Sequence, residues 1–207
     1  MSYYRQSSVP KISPVNTVII VINVLVFLYM MLTGNIRSTE YMYNHGASFW
    51  PAVIMNHEYY RLLTCAFIHF SFSHLFNNML VLAFIGDNLE RALGKVRYII
   101  FYLACALGSS LVSVLWNMVT GSYAISGGAS GAIFGVVGGL LLIIIKNRGR
   151  LEDISSVQLG LFAVFTIYHG LTSMGVDNAA HLGGFIIGAV LGLLLYRKKK
   201  RNVTYYA

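Results

Sequence analysis

The sequence predicts an all-α membrane protein: a bundle of six transmembrane helices with both termini on the cytoplasmic side. Three observations predict it. Apolar residues fill 57% of the 207 positions and charged residues only 11%, against about 25% charged in a soluble domain. Mean hydropathy is +0.66. The charges are also clustered, fifteen Lys and Arg and seven Asp and Glu, in short connectors and at the C-terminal end, with long uncharged stretches between them. A chain this poor in charge cannot cover a water-facing surface. That excludes a soluble enzyme, a disordered chain and a disulfide-stapled secreted module. The net charge of +8 does not call for a nucleic-acid partner, because its carriers sit where topology anchors belong. Cys65 and Cys105 are too few for a disulfide framework or a zinc site and read as small buried apolar residues.

A helix needs about 20 mostly apolar residues to cross a bilayer. Residues 15–32 supply the first span. The following Leu32-Thr33-Gly34-Asn35 offers no small-residue cleavage site, so this is a helix and not a removable signal peptide. Residues 62–86 supply the second. The charge-free stretch 98–145 is too long for one span and is interrupted by the polar, Gly-rich run 117–128, so it holds the third and fourth. Residues 154–176 give the fifth and 178–196 the sixth. Lipid admits only helices or closed barrels, and these lengths rule out ten-residue strands.

The chain thus divides into an N-terminal cytoplasmic segment (1–14), a six-helix membrane domain (15–196) and a basic cytoplasmic tail (197–207). An even number of spans puts both termini on one side. That side holds every Lys and Arg except Arg37 and Arg61, which makes it the cytoplasm; the tail also suits anionic lipid. The outer connector, 33–61, carries Tyr41, Tyr43, Phe49, Trp50, Tyr59 and Tyr60 and is expected to lie at the membrane interface.

Polar groups inside membrane helices are costly and usually face the bundle interior at functional positions. Span two carries His69, Ser71, Ser73, His74, Asn77 and Asn78. Span four opens with Ser126-Gly127-Gly128-Ala129-Ser130-Gly131, and span six with Asp177-Asn178-Ala179-Ala180-His181. All three spans run from outside to inside, so their polar ends share one depth near the outer face.

A serine hydroxyl needs an adjacent base to become a nucleophile. Ser130 heads span four and His181 heads span six, and an imidazole can take the hydroxyl proton and return it to a leaving amine. The backbone N–H of Ser130, at a helix N-terminus, suits a developing anion. His74 and Asn78 are four apart on one helix face, and both can donate to an oxyanion. Gly131, Gly135 and Gly139 form one small-residue stripe and Gly184, Gly188 and Gly192 another, which allows close helix packing and would bring Ser130 to His181. His45, His57, His69 and His169 read as structural or interfacial. Asp177, four before His181, reads as a helix cap, leaving a Ser–His dyad.

These residues resemble the rhomboid family of intramembrane serine proteases, over roughly residues 61–196. The resemblance rests on His74-Leu75-Phe76-Asn77-Asn78, Gly128-Ala129-Ser130-Gly131, and Ala180-His181-Leu182-Gly183-Gly184 with Gly188. Weaker elements are Tyr60-Arg61, where the family often has Trp-Arg, and residues 86–90. The resemblance implies a cavity opening outward and cleavage in or near a substrate's transmembrane segment. Ser130 would be the nucleophile, His181 the base, and His74, Asn78, Gly128 and the Ser130 N–H the oxyanion and substrate site. Gly184 and Gly188 would hold the helices together. Phe134 stands where some members have Tyr packed on the histidine. Span five would gate lateral entry. No metal or cofactor is implied.

The expected partners are single-span membrane-protein substrates and lipid, in a bacterial plasma membrane with the site facing outward. The six spans without a seventh or a soluble domain fit the minimal bacterial form. Oligomeric state is not legible. Two other readings stay open: a non-catalytic member that binds transmembrane helices, and a small transporter, the latter disfavoured by inner halves with almost no polar groups.

Overall fold

A computed structural model of the chain describes residues 13–147 and 175–197, together with 150–151, 154–155, 157, 160 and 164. The first helix, α1 (Pro14–Thr33), starts with proline in its first turn, where the missing N–H costs nothing. Its buried residues are Asn16, Ile19, Asn23, Phe27 and Met30, one face at helical spacing. Val18, Leu25, Leu28 and Leu32 are exposed on the outside. Polar inside and apolar outside is the reverse of a soluble helix and is the pattern that lipid selects.

The connector folds into α2 (Thr39–Asn44) and α3 (Trp50–Ile54). Ser38 caps α2 by accepting from the Tyr41 N–H at 3.3 Å. Met42 and Ala47 pack with Met30 and Ile68 in a small second core. Arg61, read from the sequence only as an outer-side cation, is buried. Its Nε donates to Glu58 at 2.6 Å and its Nη1 to the Tyr43 and Ala47 carbonyls, with the guanidinium 4.2 Å from the Tyr43 ring centroid. This is a clasp that closes the connector on itself. The Arg61 hydrogen bond draws the Glu58 carboxyl below the usual carboxylate range, helped by the Tyr60 hydroxyl.

The second span departs from the continuous helix expected over 62–86. It comprises α4 (Arg61–Thr64), a 3-10 turn (Cys65–Phe67), a break, α5 (Phe72–Val81), one π-helical turn (Leu82–Gly86) and α6 (Asp87–Leu93). The arms on either side of the break are bent by 93°. Ile68 and Ser71 are extended, and the Ser71 hydroxyl accepts from the His74 N–H at 3.1 Å. That cap starts a new helix. His69 and Ser71 therefore precede α5 instead of lying on it.

At the other end of α5–α6, Glu90 is buried and accepts from the N–H groups of Val15 (3.3 Å) and Asn16 (2.7 Å). A carboxylate from a distant helix thus satisfies the first-turn donors of α1 and its dipole. Asn16 Nδ2 donates to the Leu82 carbonyl at 2.9 Å, and the Tyr98 hydroxyl donates to Asn16 Oδ1 at 2.7 Å. These mutually satisfied groups correct the expectation of inner halves almost without polarity. Glu90→Ala strands one buried and one part-buried donor and is expected to cost about 2 kcal/mol, measured as a shift in the denaturation midpoint in detergent.

The remaining helices are α7 (Lys95–Thr120), α8 (Ser130–Lys146) and α9 (Asn178–Leu195). Gly121, at φ +68°, ends α7 in the left-handed conformation that glycine tolerates best. Helices α1, α7 and α9 are each long and apolar enough to cross a membrane, and the bent pair makes a fourth candidate if its two arms form one span. Helix α8 has 17 residues, about 25 Å.

Helix α8 is buried along nearly its whole length. The two glycine stripes meet in register. A Cβ on Gly184 would run into the Gly131 carbonyl, one on Gly188 into the Gly135 carbonyl, and one on Gly192 would sit 2.7 Å from the Gly139 Cα. On another side, Ser109 and Cys105 of α7 close on Gly131 and Gly135. The backbones of α8 and α9 touch with no side chain between them, as small-residue stripes permit.

Residues Arg150–Leu151 pair antiparallel with Ile154–Ser155. The fifth span was expected to begin at 154; Ile154 and Ser155 instead join a strand ladder. The rest of that span, apart from isolated positions, lies outside the described residues, as do His169 and the gate expected there.

Candidate active site

Three chain segments converge on one cavity. The first is α5, started by the Ser71 cap. The second is the approach to α8, residues 123–129. Its Ser126 exchanges two backbone hydrogen bonds of 2.8 Å with Ser48, and its Gly128 N–H donates to the Cys65 carbonyl at 2.8 Å. The third is α9, capped by Asp177, whose Oδ1 accepts from the Ala180 N–H at 2.9 Å.

The cavity has a volume of about 340 Å³, and His74, Asn78, Ser130, Phe134, Asp177 and His181 are among its lining residues. Ser130 Oγ and His181 Nε2 are 2.9 Å apart. Phe134, one turn after Ser130, stacks on the His181 ring at 4.2 Å and 13°. The ring is therefore fixed by packing on its face and by the serine at its edge.

The second imidazole nitrogen, Nδ1 of His181, is buried with no hydrogen-bond partner among the described residues. Asp177 is occupied elsewhere: its Oδ1 by Ala180 and its Oδ2 by the Ser113 hydroxyl at 2.5 Å. Among the described residues, a serine–histidine pair is present without a carboxylate bonded to the histidine, and Asp177 caps α9 as expected.

Gly128 has φ +132°, a conformation that side-chain-bearing residues rarely adopt. A Cβ there would lie 2.7 Å from the His74 ring. Glycine thus lets the His74 imidazole lie against the main chain that leads into Ser130. Asn78 is buried, and its Nδ2 donates to His69 Nε2 at 3.0 Å. The Ala129 N–H donates to the same nitrogen at 3.4 Å.

His69 is therefore a structural histidine, as the sequence suggested, but with a task the sequence did not reveal. It ties the Asn78 amide to the turn before Ser130. One N–H of Asn78 is spent on this bond and the other remains. No signal in the sequence could have found it, because the His69–Asn78 spacing lies across the helix break. Of the residues singled out from the sequence, Ser130, His181, His74, Asn78 and Phe134 line one cavity; Gly128, Gly184 and Gly188 form the close backbone contacts beside and beneath it. Among the described residues, no cluster of His, Cys, Asp and Glu could hold a metal ion.

Long apolar helices, with buried polar residues on their inner faces and a cavity among them lined in part by Ser130, His181, His74 and Asn78, define a multi-pass membrane protein. A family model for the rhomboid domain matches residues 56–198, and the chain belongs to the rhomboid family. It is 39% identical over 144 residues to RHOMBOID-like protein 4 of Arabidopsis thaliana, covering 69% of this chain and 36% of that protein. It is 32% identical over 178 residues to the rhomboid protease GluP of Bacillus subtilis (strain 168), covering 84% of this chain and 34% of that one. It is 34% identical over 157 residues to the inactive RHOMBOID-like protein 8 of Arabidopsis thaliana, covering 75% and 43%. The chain spans between about a third and less than half the length of these relatives.

Proposed function

We propose that this rhomboid-family protein is an intramembrane serine endopeptidase that cleaves a peptide bond in or near the transmembrane segment of membrane-protein substrates. The observation that carries the reading is the 2.9 Å contact between Ser130 Oγ and His181 Nε2 on a cavity wall. Resemblance to a named rhomboid protease adds support.

In this reading His181 Nε2 accepts the Ser130 proton as Oγ attacks the scissile carbonyl, and later returns it to the leaving amine. The tetrahedral oxyanion takes hydrogen bonds from the Ser130 N–H, the His74 imidazole and the remaining N–H of Asn78. His69 and Gly128 pre-set those donors, so no reorganisation is needed as charge develops. Phe134 holds the imidazole by stacking alone. The membrane is crossed six times with both termini in the cytoplasm, in a bacterial plasma membrane, and the cavity opens to the outside. The substrates are single-span membrane proteins.

The test is reconstitution in proteoliposomes with a labelled single-span substrate, comparing wild type with Ser130→Ala by gel and mass spectrometry. Cleavage by wild type alone supports the reading. A second reading, a helix-binding member without turnover, is favoured by the inactive relative. It would show no cleavage and no labelling of Ser130 by a fluorophosphonate.

Asn78→Ala is expected to lower kcat by about 10²–10³-fold with KM little changed, because the lost donor acts on the oxyanion. Steady-state kinetics on the same substrate measure it.

A further inference from the structure

We propose that Asp177 is a charge-selecting residue of the cavity, favouring substrates that carry a lysine or arginine close to the scissile bond. The proposal rests on the endopeptidase reading above.

Asp177 has a second life beyond its cap. It lines the main cavity with Ser130 and His181. It also lines a small cavity of about 30 Å³ that shares Ser130 with the main one, and a third of about 310 Å³ lined also by Val176, Trp116 and Asn117. The carboxylate therefore stands where three spaces meet, partly exposed to them.

Its two hydrogen bonds, from the Ala180 N–H and the Ser113 hydroxyl, come from neutral donors. Ser113 in turn accepts from Asn117 Nδ2 at 3.4 Å, another neutral group. Among the described residues no Lys or Arg answers it. Among the described residues the ion pairs are Arg61–Glu58 and Arg91–Asp87, neither of which includes Asp177. The sequence holds no Lys or Arg between Arg150 and Arg197. Of the described residues lining the main cavity, Asp177 is the only Asp or Glu, and none is Lys or Arg.

An uncompensated carboxylate in a cavity with apolar walls acts at longer range than on an open surface, because its field is less screened. A substrate chain that places a cation in this space gains attraction, and one that places a carboxylate there is repelled. A helix cap alone does not require a charge here, because Asn and Ser cap as well as Asp.

That equivalence makes the charge separable from the cap. The experiment uses the full chain in proteoliposomes with a set of substrates cleaved at one site. Each of the three positions on either side of the scissile bond is varied among Lys, Gln and Glu, and relative kcat/KM is read by internal competition. Wild type is expected to favour Lys over Glu by about tenfold or more at one position. Asp177→Asn and Asp177→Ser should both bring that ratio close to one, a change that internal competition reads independently of the absolute rate. An unchanged ratio in both variants overturns the proposal, as does a wild type that shows no charge preference while cleaving the Gln substrates. In either case the endopeptidase reading stands, provided Ser130→Ala is inert. If wild type cleaves nothing and Ser130 is not labelled, that reading fails and this proposal with it.

Discussion

The double variant Ser130→Ala/His181→Ala is expected to be no slower than either single variant, each about 10⁴-fold or more below wild type in kcat. On the proposed mechanism the two groups act as one unit: His181 Nε2, 2.9 Å from Ser130 Oγ, would accept its proton, so removing either atom would remove the same step. Asp177 is held by Ala180 and Ser113, so no carboxylate substitutes for the lost partner. The variants should remain folded, because Ser130 and His181 are held by their helices and not by each other. Residual activity that differed by orders of magnitude between the two single variants would break the unit and require a different base. Single-turnover cleavage in proteoliposomes, with thermal unfolding of each variant as the control, makes the measurement.

Gly184→Val is expected to remove both stability and activity, and the loss of stability should be among the largest for any single replacement. The first added carbon already runs into the Gly131 carbonyl, and valine adds two more. Backbone cannot step aside as a flexible side chain can, so α8 and α9 must separate. Overpacking of this kind costs about 1–3 kcal/mol or more. The active pair feels the separation directly, since Ser130 adjoins Gly131 and His181 lies three residues before Gly184. Gly160→Val is a control: a Cβ there meets no atom of the described residues within 4 Å. Wild-type stability in Gly184→Val would contradict the close contact itself.

Helices α1, α7, α8 and α9 were legible because uninterrupted apolar stretches of that length suffice to define a helix. The glycine stripes were legible because a four-residue repeat can mean only one helix face, and the Gly184–Gly131 contact has the register the spacing implied. Convergence of Ser130, His181, His74 and Asn78 followed from their shared depth. The break at 68–71 was not legible: serine and histidine look alike whether they sit on a helix or just before one, and only the Ser71 cap decides. The work of His69 depends on that break. The Glu90–Asn16–Tyr98 cluster joins positions 74 and 82 apart in the chain, a pairing that no local pattern encodes. Arg61 looked like a topology charge because one residue cannot announce that its hydrogen bonds turn inward.

The reach of Glu90 back to the start of α1 has a consequence for biogenesis. The donors at Val15 and Asn16 are made early, and their acceptor is translated 74 residues later. At about 5–20 residues per second, α1 waits roughly 4–15 s for it. During that interval the first-turn N–H groups of α1 lack the Glu90 carboxylate, and Asn16 lacks Tyr98 as a partner. Within this stretch of chain, α1 is thus made well before α6 arrives to clasp its end.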